Sequence, residues 1–216
     1  MTLHTIKFGD EGQVATRELL ARFEASRPEV ATFLRTFESL DRQYGGSGPL
    51  PLEGVEDLVA TALSELARLE QADEFTDLTL GIALWAARHG VAMRAVEPVA
   101  NALARRSNEA ASKQDLAAIF GLMQGLIAHV EPALGADLER SNPERPWRIL
   151  HANFAITAIR TEDPALMDHA FDALDRALPD ERAGFYAEAL ALAMNPRIPA
   201  GVRERIEARH LKWTLR

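Results

Sequence analysis

Apolar residues recur at helical spacing along nearly the whole chain. Val30, Phe33, Leu34, Phe37 and Leu40 make one stripe, which predicts a helix from Pro28 in its first turn to about Tyr44. Val55, Leu58, Val59, Ala62, Leu66 and Leu69 predict a second, from Val55 to Leu69. Between Asp77 and Arg88 the pattern changes. Leu78, Ile82 and Trp85 form one row, while Leu80, Leu84 and Ala87 form another nearly opposite. A helix apolar on more than one side is normally sandwiched inside a fold. Ser112–Val130 is of the same inner kind, with Leu116, Ile119, Phe120, Met123, Ile127 and Val130 in one row, and Ser112 and Asp115 in a capping-box arrangement. Trp147–Arg160 is a third inner helix. Pro164–Leu178 is amphipathic: Met167, Ala170, Phe171 and Leu174 point in, and Asp168, Asp172 and Asp175 are expected to point out. Helices over Phe185–Met194 and Pro199–Leu211 follow, and the Trp213–Leu215 tail is apolar enough to dock back. At the start, Thr2–Phe8 reads as an extended arm, Val14–Ala25 as a helix and Ser26–Glu29 as a capping box. Gly45–Gly54, GGSGPLPLEG, is the strongest break.

A repeat runs beneath this pattern. Val96–Asn108 reads VEPVANALARRSN and Val130–Asn142 reads VEPALGADLERSN, with seven of thirteen positions identical. Pro98, Pro132, Pro164 and Pro196 stand 34, 32 and 32 residues apart. That period fits one helical hairpin. Proline is tolerated in the first helical turn, where its missing N–H costs nothing, and Asp163 and Asn195 are placed to cap the helices that follow. In the alternative, Pro98 and Pro132 kink two longer helices. The expected fold is all-α: one domain over residues 1–216, built as an array of antiparallel helical hairpins, a short α-solenoid. Residues 1–44 form an irregular N-terminal helical cap, 45–54 an internal loop, and 55–216 the repeat region. The period resembles that of tetratricopeptide-like repeats in length. Trp147, Leu150 and Phe154 have a spacing similar to the first helix of such a unit, although His151 stands where a small residue is usual.

Composition narrows the chemistry. The 216 residues are 47% hydrophobic, enough for one sizeable core. The formal net charge is −8, and the arginine groups at Arg105–Arg106 and Arg203–Arg205 are short. No nucleic-acid footprint is expected. No cysteine is present, which removes disulfides, thiolate nucleophiles and cysteine-held metals. The N-terminus lacks a signal-peptide core, and no window offers about 18 uncharged apolar residues. A cytoplasmic protein with no membrane span is expected, and the arginine and alanine content is of a bacterial kind.

The chemistry-bearing residues form no known catalytic or metal-binding motif. Six histidines are present, none in an HExxH pattern. His169, Asp168 and Asp172 share one helix face and read as surface charge rather than as metal ligands. His151 and Asn153 lie on an inner helix, where a buried polar group needs a partner. They are compatible with a pocket floored by Trp147, or with core groups bonded to neighbouring carbonyls. His129, near a helix end, has a favourable interaction with the helix dipole. Gly121 and Gly125, four apart, mean either close helix packing or nothing.

Three functions follow. The first is a non-catalytic helical-repeat scaffold that binds a protein or peptide partner. The second is a small-molecule sensor or enzyme with a pocket between inner helices near Trp85, His129, Trp147 and His151. The third is a homodimer using an apolar patch near Trp213. No cofactor, metal or catalytic residue is assigned, and the sequence leaves open whether the protein is an enzyme.

Overall fold

The computed structural model describes residues 24, 27–44, 50, 54–69, 73–136 and 138–214. The arm at Thr2–Phe8, the capping box at Ser26, Leu215 and most of the Gly45–Gly54 loop lie outside these residues, as does the Val14–Ala25 helix apart from Glu24. Among the described residues there are nine helices and no strand. They are α1 (Pro28–Tyr44), α2 (Val55–Arg68), α3 (Asp73–His89), α4 (Glu97–Glu109), α5 (Lys113–Leu134), α6 (Pro146–Thr161), α7 (Pro164–Ala177), α8 (Arg182–Ala193) and α9 (Ala200–Thr214). The chain is all-α, as the 3.6-residue periodicity predicts.

The chain divides into two compact units. One holds the described residues up to Arg106 together with Ala128–Ala133. The other holds Ser107–Ile127 and the described residues from Leu134 onward.

In the N-terminal unit, α1 packs on α2 and α2 on α3. Leu34, Phe37, Val59, Leu63, Leu78, Ile82 and Trp85 are buried, and so is Leu80 on the opposite side of α3. The two-sided burial predicted for α3 is found in part, since Leu84 and Ala87 of the opposite row are only half-buried. Fully burying a leucine or phenylalanine contributes about 1.5–3 kcal/mol each. Helix α3 ends at Gly90, whose φ is +67°, a conformation that glycine adopts without strain. The Gly90 amide donates to Ala87 O and the Val91 amide to Ala86 O, at 3.2 and 2.9 Å. These two bonds satisfy carbonyls the helix end would otherwise orphan.

In the C-terminal unit, α6 packs on α7 and α8 on α9. Its core includes Phe120, Met123, Phe154, Met167, Phe171, Leu174 and Tyr186. Two predicted caps form. The Ser112 hydroxyl accepts from Asp115 N at 3.1 Å and donates to Asp115 Oδ2 at 2.7 Å. Asp163 Oδ1 accepts from Ala165 N and Leu166 N at 2.8 and 3.2 Å. Helix α5 is long and apolar enough by length and composition to cross a bilayer. Leu116, Ile119, Phe120, Met123 and Ile127 of its row are buried, but Ala117, Ala118, Gly121, Gln124 and Gly125 are exposed, so the burial on more than one side expected of an inner helix is not found for α5.

Three expectations need correction. Pro132 does not open a helix; it lies inside α5, near its end. The kinked-helix alternative at least has it on the correct side of the boundary. Pro196 lies in a turn, where Asn195 Oδ1 accepts from Arg197 N at 3.0 Å, and α9 begins only after Pro199. Asp175 does not face solvent but is buried at 7% exposure, because α9 lies along the polar face of α7. The expected outward trio Asp168, Asp172 and Asp175 meets Arg205, Arg209 and Lys212 on α9. Gly121 and Gly125 pack closely against nothing: a Cβ at either would meet no atom within 4 Å.

Candidate functional site

The five residues singled out from the sequence divide between the two units. In the N-terminal unit Trp85 is 1% exposed, and its indole N–H donates to Asp41 Oδ1 at 2.9 Å. The same oxygen accepts from Arg88 Nη2 and meets His89 Nε2, each at 3.1 Å. The Trp85 ring lies edge-on to Phe37 at 4.9 Å and tilted against His89 at 4.6 Å. Helical spacing makes this cluster: Phe37 and Asp41 are one turn apart on α1, as are Trp85, Arg88 and His89 on α3. Asp41 Oδ2 has no hydrogen-bond partner among the described residues. His129 Nε2 lies 2.9 Å from Val91 O and so serves the turn after α3.

In the C-terminal unit Trp147 and His151 are both buried, with their rings edge-on at 4.3 Å. Asn153 donates to Ile149 O, four residues back on its own helix, at 2.9 Å. Arg145, at the start of α6, holds the preceding turn through Arg140 O and Asn142 O at 3.0 and 2.9 Å, and it pairs with Glu181. Among the described residues, no three His, Asp or Glu side chains gather in a group that could hold a metal ion.

A second buried carboxylate, Asp175, was not singled out from the sequence. Its Oδ1 accepts from the Tyr186 hydroxyl at 2.9 Å and Trp213 Nε1 at 3.0 Å. Its Oδ2 accepts from Arg209 Nη1 at 2.8 Å and Lys212 Nζ at 3.4 Å. Burial, then the Asp175 charge, push the Tyr186 phenol well above its ordinary pKa, so it stays a neutral donor. Burial works against the Arg209 cation, but bonds to Asp172 and Asp175 outweigh it and raise its pKa. The Arg182 guanidinium stacks 3.5 Å from the Trp213 ring centroid. The C-terminal tryptophan thus docks back, as its apolarity predicts. A sequence signal existed for this ladder. The pairs Asp168–Arg205 and Asp175–Lys212 share one offset of 37 residues. Asp172–Arg209 falls between them in the same register.

A surface concavity lies elsewhere in the C-terminal unit, and none of the five residues lines it. One hollow of about 310 Å³ is bounded by Ala110–Lys113 of the α4–α5 turn, by Arg160 and Glu162 at the end of α6, and by Ile198 and Pro199 before α9. An adjoining hollow of about 380 Å³ continues past Pro164 and Met167 to Arg205 and Ala208. Both share Glu162, Pro199 and Val202. Three alternate turns, α4–α5, α6–α7 and α8–α9, therefore line one groove. Its floor is apolar, with Leu116, Ile159 and Val202 in the first hollow. Lys113 and Glu162 form an ion pair at 2.6 Å on its rim. Arg160 is anchored through Nη1 to the Ser107 carbonyl and, at 3.3 Å, to Ser107 Oγ. No family model, no curated protein and no solved structure matches this chain.

Proposed function

We propose that this chain is a non-catalytic helical-repeat scaffold that binds a protein or peptide partner in the groove along its connecting turns. The carrying observation is that groove, lined by the turns that follow α4, α6 and α8. Hairpin arrays stack in this way, and they use the extended surfaces so created for recognition.

The side-chain contacts support the same architecture. In a stacked array each helix meets its hairpin partner and also the helix two along, which runs parallel to it. The ladder Asp168–Arg205, Asp172–Arg209, Asp175–Lys212 advances along α7 and α9 in the same direction. Ser107 on α4 bonds Thr157 on α6 at 2.7 Å, and Phe120 on α5 meets His169 on α7 edge-on at 6.1 Å. In the N-terminal unit Asp41 on α1 bonds Trp85 on α3. The test is selection of the intact chain against a random library of terminally blocked dodecapeptides at physiological salt. Enrichment of peptides sharing a pattern, with measurable affinity in solution, is expected. A library that yields no binder would overturn the reading.

A further inference from the structure

The scaffold reading says where a partner lies, and the groove also carries information about its chemistry. Resting on that reading, we propose that the groove takes a peptide segment with an acidic side chain flanked by aliphatic residues, and that Arg160 receives the carboxylate.

Arg160 is the observation that decides the charge. Its Nη1 group is fixed on the carbonyl and hydroxyl of Ser107, near the C-terminal end of α4. Its Nε and Nη2 groups make no hydrogen bond among the described residues, and no described carboxylate pairs with it. That leaves free the edge of the guanidinium that binds a carboxylate side-on through two parallel N–H bonds. The anchoring bonds hold the plane still, which lowers the ordering cost of using the free edge. The other two charges of this hollow, Lys113 and Glu162, neutralise each other. The first hollow therefore carries one uncompensated positive charge, in a chain whose formal net charge is −8.

The floor decides the rest. Leu116, Ile159 and Val202 surround one hollow, and Pro164, Met167 and Val202 the next. Glu162, Pro199 and Val202 are common to both, so two short hollows adjoin rather than one deep tunnel. Two separate hollows suit two aliphatic side chains of a peptide better than one continuous acyl chain. The free guanidinium edge lies in the first of them. Bidentate pairing in a partly dry site also favours a carboxylate over a neutral amide, since the cation would otherwise lose water without a partner.

The test uses blocked peptides selected on the intact chain and four protein forms: unchanged, Arg160→Met, Arg160→Lys and Ala111→Trp. Ala111 is an exposed lining residue, so its replacement fills the hollow without touching the core. Selected peptides are expected to hold Glu or Asp between aliphatic residues. Arg160→Met and Ala111→Trp should each weaken binding by about tenfold or more, and Arg160→Lys by less. Replacing the peptide acid by its amide should cost as much as Arg160→Met, with no further loss when both changes are combined. Circular dichroism reports whether each variant is folded, and Ala111→Trp keeps the test decisive if Arg160→Met is not. Selected peptides that bind all four forms equally would overturn the groove assignment and leave the scaffold reading standing. No selected peptide at all would overturn both. Decanoate binding more tightly than any peptide, with the same Arg160 dependence, would overturn the peptide as occupant.

Discussion

Replacing Asp175 by alanine is the sharpest perturbation of the fold. The carboxylate is 8% exposed and gathers donors from two helices: Tyr186 of α8, and Trp213, Arg209 and Lys212 of α9. Removing one partner of a buried ion pair costs about 3–5 kcal/mol, because the other charge stays buried and unpaired. Here the cost falls toward the lower end, about 3 kcal/mol, since Arg209 retains Asp172 at 2.8 Å and Lys212 is 42% exposed. The Tyr186 and Trp213 donors lose their Asp175 acceptor, and that loss is included in the figure rather than added to it. Asp168→Ala is the internal control. It removes a similar ion pair with Arg205, but both side chains are more than one-third exposed, so the cost should stay below about 1 kcal/mol. Urea unfolding followed by far-ultraviolet circular dichroism and tryptophan fluorescence measures both. Asp175→Ala should also shift Trp213 emission to the red as the α9 end loosens. Equal losses for the two variants, or a loss below about 1 kcal/mol at Asp175, would refute the claim that burial sets the strength of this contact.

Further outcomes follow from the same structure. The Tyr186 phenol has its pKa raised in the folded state above the ordinary 10.0, first by burial and then by Asp175. Its contribution is therefore intact below about pH 10 and lost as pH climbs above it, by up to about 1.4 kcal/mol per unit. Tyr186→Phe should flatten that part of the stability–pH profile, and a profile of unchanged slope would count against the buried neutral phenol. Gly121→Ala and Gly125→Ala should each stabilise by about 0.5–1 kcal/mol, because a Cβ meets open space at both. Thermal melts test this, and a loss at both sites would mean that face of α5 is covered in solution. Trp85→Phe should cost about 1–3 kcal/mol by removing the indole donor to Asp41 and leaving a void beside Phe37. Denaturant titration checks it, and a neutral substitution would contradict the buried bond.

Local information in the sequence was sufficient for the helices. Apolar spacing located most of the helices, the proline repeat pointed to α4, and two caps, at Ser112 and Asp163, were readable because a cap needs only residues a few positions apart. The near-repeat was a real signal with an ambiguous meaning. Val96–Asn108 enters α4 at Glu97, whereas Val130–Asn142 leaves α5 and turns. A proline marks a boundary but not which side of it is helical. Gly90 and the loop after it detach the chain before Pro98, while an unbroken apolar helix runs up to Pro132.

Contacts between helices were beyond the reach of that local reading. The sequence placed Trp85, His129, Trp147, His151 and Asn153 near buried helices. Only the tertiary structure assigned Trp85 to Asp41, His129 to Val91 O, and Asn153 to its own helix. Asp175 read as a solvated charge, because a polar face looks the same whether it meets water or the cations of another helix. Its partners on α9 lie 34 to 38 residues away, and Tyr186 on α8 lies 11 away; packing brings them all to it. The groove is further still from sequence view, since its turns come from three stretches of chain that local pattern does not connect. Periodicity and capping are properties of neighbours along the chain, whereas burial of a charge and the shape of a groove are properties of neighbours in space.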